Sequence, residues 1–217
     1  MSETINLVVF ISGNGSNLQA IIDAIESGRL NGRILAVISD QPDAFGLQRA
    51  QKHGIPGIIL DHRNYSSRNE FDQALLQKVN QLRPDYIVLA GFMRILGSDF
   101  VQAYEYKVLN IHPSILPDFK GLDTHRRVLQ NGEKEHGVSI HLVTAELDDG
   151  PVLLQGRYPV EKDDKVEDLQ RKGHELEHLM FPALLQWVSE GILQINRDSI
   201  IYNNQVMHQP VRFQQGI

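Results

Sequence analysis

Asn110 and His112 stand two positions apart in Asn110-Ile111-His112-Pro113-Ser114-Ile115-Leu116-Pro117. Val108 to Ile111 is a short β-type run. Strand side chains alternate faces, so the amide and the imidazole share one side. Pro113 stops the ladder, because it has no N–H and biases His112 away from helix. The pair is thus presented at a strand's carboxyl end, where open α/β sheets place their ligands. A donating amide beside an imidazole that can be charged suits the stabilisation of a developing oxyanion. The same two residues could also do no more than satisfy loop backbone, and spacing alone leaves both readings open.

Four further stretches carry polar or ligand-like patterns. Ser12-Gly13-Asn14-Gly15-Ser16-Asn17 joins a strand to a helix start, where glycines admit a ligand and free helix N–H groups hold an anion. Leu18 replaces the third glycine of a dinucleotide fingerprint, and no Gly-Lys-Ser/Thr follows. What remains is a cradle for one phosphate, or a tight turn with Ser16 or Asn17 as the helix cap. Phe92-Met93-Arg94-Ile95-Leu96 places apolar residues after a strand end, as core or as the wall of a flat apolar ligand's slot. Asp148 lies in Glu146-Leu147-Asp148-Asp149-Gly150-Pro151, a turn by its glycine and proline and ordinarily a solvated one. His174-Glu175-Leu176-Glu177-His178 matches the helical zinc-peptidase pattern, with both histidines on one face. Against zinc, Glu177 sits where the helix should pack inward, and no third ligand is evident.

These residues need a sheet to hold them. Leu7 to Ile11 is a continuous apolar run like a buried parallel strand, and a helix face follows in Leu18, Ile21, Ile22 and Ile25, ending near Gly28. Strands are expected at 34–38, 58–60, 86–90, 138–143 and 152–160. Helices are expected at 46–53, 68–82, 124–131 and 166–188. A tail from Leu193 to Phe213 should form a hairpin about Asn203-Asn204. The alternation predicts one α/β domain: a Rossmann-like, mostly parallel twisted sheet with helices on both faces and right-handed crossovers. Within it, residues 1–105 would form a first half with the candidate phosphate cradle, 106–190 a second half with the Asn110-x-His112 strand, and 191–217 a tail.

Composition narrows the partners. The chain has 217 residues, 41% hydrophobic and 22% charged, an ordinary balance for a globular protein. A formal net charge of −6 with no basic block disfavours nucleic acid. No cysteine is present, which excludes disulfides, thiolate metal sites and cysteine nucleophiles. The start is not basic, and Ile5 to Ile11 is too short for a signal or membrane segment, so a cytoplasmic protein without membrane contact is expected.

Taken together, the Asn110-x-His112 segment, the 12–17 loop, Ala90-Gly91-Phe92-Met93-Arg94-Ile95-Leu96 and the 146–151 turn resemble the folate-dependent formyltransferases, in the same order. The likeness runs from Leu7 to about Glu190. It implies transfer of the formyl group of 10-formyltetrahydrofolate, a co-substrate, to the glycyl amine of glycinamide ribonucleotide in purine synthesis. No metal would take part, and the protein would be a monomer or a homodimer acting on small molecules. The resemblance assigns Gly15, Ser16 and Asn17 to the phosphate, with Arg68 a weaker second contact. Glu177 would accept from ribose hydroxyls or the glycyl amine. Met93, Arg94 and Leu96 would line the pteridine slot, with the Thr144 to Asp148 loop closing it. Asp148 would lie beside His112, favour its imidazolium and help move protons, while Asn110 and His112 hold the oxyanion. The related formyltetrahydrofolate hydrolase shares the Asn-x-His core. It usually carries an extra N-terminal domain, for which a first strand at about Leu7 leaves no room. Asp123 departs from the family, some of whose members have histidine there.

Overall fold

The computed structural model describes residues 3–214; both ends of the expected 1–217 unit lie outside them. β1 (Ile5–Ile11) shows why its apolar run is unbroken. Leu7, Val9 and Ile11 pack with α1 (Ser16–Glu26) and α6 (Val166–Ser189) on one face. Val8 and Phe10 pack with α3 (Arg68–Leu82) and α4 (Ser98–Ala103) on the other. A strand covered on both faces has no side left for polar residues.

The remaining strands are β2 (Gly32–Ser39), β3 (Gly57–Ile59), β4 (Tyr86–Leu89), β5 (Val108–His112), β6 (Glu135–Leu142), β7 (Val152–Pro159) and β11 (Val211–Arg212). They form one sheet with the order β11-β7-β6-β5-β4-β1-β2-β3. Among the described residues of this sheet only β6 runs against its neighbours, so the expected mostly parallel sheet with helices on both faces is the fold. α2 (Phe45–Lys52) and α5 (Thr124–Asn131) complete the layers. The tail forms β8 (Leu193–Ile195), β9 (Ile200–Tyr202) and β10 (Gln205–Val206). The β9–β10 hairpin turns at Asn203-Asn204, both with positive φ, as two-residue hairpins require.

The reversal of β6 matters most for the site. Its antiparallel ladder with β5 sets His141 opposite Asn110 and Ser139 opposite His112. Directly opposed residues share a face and lie close enough to bond. A bulge in the β6–β7 pairing falls at Ile140/His141, a device that re-aims side chains beside active sites.

Candidate active site

Asn110 and His112 share a face of β5, the sheet's central strand beside β4 and β6, as their spacing requires. Both line a cavity of about 640 Å³. His112 is 6% exposed and donates from Nε2 to the Phe119 carbonyl at 2.9 Å. A carbonyl only accepts, so Nε2 carries the proton and Nδ1 is left bare in the neutral ring. Phe119, Gly121 and Asp123 all have positive φ. The 119–123 loop thus accepts backbone strain in the places that bring its carbonyl and N–H groups inward.

Asp148 reaches the same point from the other side, in a left-handed conformation at φ 50°. Its Oδ2 is 3.4 Å from His112 Nδ1 and accepts from the Gly121 N–H at 2.9 Å. Burial alone would raise its pKa, but His141, the Gly121 N–H and His112 outweigh that and hold the carboxyl below its ordinary value. Lys120 pairs with Asp149, adding a second clasp between the two loops. The expected placement of Asp148 beside His112 matches this geometry. The expected charge on His112 does not. Burial lowers its pKa by more than the Phe119 carbonyl and Asp148 raise it, which favours the neutral ring. Desolvation of the cation wins because the ring is almost wholly enclosed and Asp148 stands beyond hydrogen-bond length.

Met93, Arg94, Leu96 and Thr144 line the same cavity. Leu96 is buried in its floor, whereas Met93 is 70% and Leu122 79% exposed at its rim, with Ile95 and Leu147 also exposed there. Exposed apolar side chains gathered round one opening mark a binding mouth. Arg94 stacks on Phe71, 5.1 Å from the ring centre.

The phosphate candidates form a neighbouring cluster where α1 meets α6. Gly15, at φ 71°, is the residue that caps α1, so the alternative of a Ser16 or Asn17 side-chain cap is not what forms. A Cβ on Gly15 would lie 2.7 Å from Gly46 Cα, so α2 closes the space a side chain needs. Asn14 is gripped by Arg49, whose Nε donates to its carbonyl at 2.9 Å and Nη2 to Oδ1 at 3.0 Å. Asn17 donates to Glu177 at 2.7 Å, and its own Oδ1 is buried without a partner. Burial pushes the Glu177 carboxyl up in pKa. Ser12 ties this cluster to the cavity: its N–H donates to Gly91 at 3.0 Å, and its Oγ accepts from the Met93 N–H at 2.9 Å. Its hydroxyl proton goes to the buried Asp40 at 2.6 Å.

Arg68 is not at the phosphate loop. It begins α3, on the opposite face of the sheet from α1, and donates to the Leu96 carbonyl at 3.0 Å. With Asp72, which lies against Gly97, it braces the loop that lines the cavity. The zinc reading gains nothing from the helix. Glu177 is turned to Asn17, and among the described residues no group of three His, Cys, Asp or Glu is arranged to hold a metal.

A family model described as formyl transferase matches residues 5–185. The chain belongs to the formyl transferase family. This formyltransferase is 46% identical to the phosphoribosylglycinamide formyltransferase of Escherichia coli over 194 residues, 89% of this chain and 92% of that one. It is 40% identical to the human trifunctional purine biosynthetic protein adenosine-3 over 90% of this chain, which is 19% of that much longer protein. The solved phosphoribosylglycinamide formyltransferase of Coxiella burnetii superposes with a TM-score of 0.92 at 44% identity, covering 98% of this chain and all of that one.

Sequence reading left His141 and Ser12 out of the site. Asn110 Nδ2 donates to His141 Nε2 at 3.0 Å, a contact that depends on strand register. Ser12 lay in the glycine loop, but its link to Met93 spans 81 positions of sequence. No local pattern carries either signal.

Proposed function

We propose that this formyltransferase moves the formyl group of 10-formyltetrahydrofolate to the glycyl amine of glycinamide ribonucleotide. What supports it most is the meeting of Asn110, His112 and Asp148 in a cavity with an apolar mouth, beside a glycine loop open to an anion. The amine nitrogen bonds to the formyl carbon, and the bond from that carbon to the folate N10 then breaks. Asn110 donates to the oxyanion between those steps. The neutral His112 takes the amine's proton at Nδ1, where Asp148 stabilises the new cation, and the proton passes on to N10. Burial makes the uncharged ring the resting form, so positive charge arrives only as negative charge develops. Gly15, Ser16 and Asn17 receive the phosphate, and Glu177 a ribose hydroxyl or the amine. Met93, Arg94, Leu96 and Thr144 receive the folate.

The first 105 residues carry the phosphate cradle and residues 106–190 most of the chemistry, although the cavity draws on both. Among the described residues, no helix is long and apolar enough to cross a membrane. We place the protein in the cytoplasm, as a monomer or homodimer that binds neither nucleic acid nor metal. A spectrophotometric assay with glycinamide ribonucleotide and 10-formyl-5,8-dideazafolate tests the reading. Deformylation that requires the ribonucleotide and yields its formylated amine is expected. Formate release that proceeds without it would make the protein a hydrolase.

A further inference from the structure

His141 is 2% exposed, directly opposite Asn110, and takes no proton-transfer part in the reaction proposed above. Both of its ring nitrogens meet partners of fixed role. Nδ1 lies 2.8 Å from the Leu142 carbonyl, which only accepts. Nε2 lies 3.0 Å from Asn110 Nδ2, which only donates. In a neutral ring the Leu142 carbonyl puts the proton on Nδ1, which leaves the Nε2 lone pair turned to Asn110.

The Leu142 carbonyl that sets this arrangement is itself fixed. The Leu142 N–H donates to Pro151 at 3.0 Å, and a Cβ on Gly150 would collide with the carbonyl oxygen. The turn that carries Asp148 therefore also holds the acceptor that sets the His141 tautomer. Asp148 Oδ1 is the competing partner for Nε2, at 3.6 Å against 3.0 Å for Asn110, so the amide makes the closer contact. A proton on Nε2 would serve Asp148 and confront Asn110 with a second donor.

We propose that His141 is the positioning residue that holds the Asn110 amide in its donating orientation. An amide has two ends of similar shape and opposite role. With Nδ2 bound to His141, one N–H is fixed and the other is left for the formyl oxygen. Without His141 the amide can turn by half a rotation and offer Oδ1, which repels an oxyanion. This inference rests on the reading of Asn110 as the oxyanion donor, and its test separates the two.

The side-chain oxygen of Gln can stand near the position of Nε2, whereas an Asn side chain reaches only to that of Nδ1. His141→Leu and His141→Asn are expected to lose about 10–10²-fold in kcat, part of what loss of an oxyanion donor costs. KM for both substrates should stay within about twofold, and His141→Gln should recover most of the loss. In an Asn110→Ala background, His141→Leu should cost no more than about twofold further, because its effect passes through Asn110. In an Asp148→Asn background its full cost should remain. Equal activity of the Gln and Asn variants would overturn the proposal, as would a full extra loss on top of Asn110→Ala. If Asn110→Ala is damaging and a folded His141→Leu is not, only the role of His141 falls; if Asn110→Ala keeps full kcat, the oxyanion reading falls with it. Nitrogen-15 spectra of the His141 ring test the parent protein directly: a proton on Nδ1 is expected, and one on Nε2 overturns the assignment.

Discussion

Asp148 has two carboxylate oxygens and three neighbours: Gly121, His112 and His141. Asp148→Asn keeps the shape but removes the charge that stabilises a proton on His112. A fall in kcat of about 10²–10⁴-fold is expected, with KM for either substrate little changed. Steady-state kinetics that show full kcat and a raised KM would make Asp148 a binding residue instead. Acid should act on the fold itself. Burial lowers the pKa of His112, His125, His136 and His178, with His136 brought to about 4. Such rings take protons more readily unfolded than folded, so stability falls as pH drops below 6.5, and for His136 continues to fall to about 4. For the nearly enclosed His136 alone, that displacement corresponds to roughly 3 kcal/mol. Glu177 and Asp72, raised by burial, work in the opposite sense and soften the trend. Thermal midpoints should therefore be lower at pH 5 than at pH 7; a rise would contradict this balance.

On the proposed reading, the loops at the carboxyl ends of β1 and β4 take different substrates, and each has a substitution that should touch only one of them. Gly15→Val puts a branched side chain at φ 71° into the space of Gly46. The KM for the ribonucleotide should rise at least tenfold, roughly the loss of 1.4 kcal/mol of binding, with folate-analogue affinity kept. Arg68→Met removes the donor that holds the Leu96 carbonyl, so calorimetry should find folate-analogue binding weakened and ribonucleotide binding unaltered. Loss of the ribonucleotide instead would return Arg68 to the phosphate. Elements with strong local signals were legible in the sequence to the residue. α3 has Ser67 accepting from the Glu70 N–H, with Glu70 in turn accepting from Ser66, and α5 ends at Gly132 in a left-handed turn. α4, with six residues, is too short to show a period, and β11, with two, exists only because β7 offers it an edge. The juxtaposition of candidate site residues was legible where they lie close in sequence, as with Asn110 and His112 on β5. Arg68 was tied to the phosphate by resemblance alone, because a helix's periodicity does not say which face of the sheet it covers.

At the scale of the whole molecule, two layers of helices enclose the sheet, and the small β8–β10 sheet leans on α6 through Trp187 and Tyr202, 5.2 Å apart. Asn110 and His112 are thus built into the centre of the least yielding part of the protein. Asp148 and the 119–123 loop are not; they reach the pair from irregular segments held by a few hydrogen bonds and a surface ion pair. Segments of that kind open at a smaller free-energy cost than central strands. In rising urea, catalysis should therefore fail while circular dichroism still reports an intact sheet, and a folate analogue that bridges the two parts should draw the transitions together. Coincident loss of activity and secondary structure, with no analogue present, would mean that the loops are as firm as the strand they serve. The enzyme would then carry its own record of partial unfolding: a molecule that looks folded by every global measure, and has already stopped working.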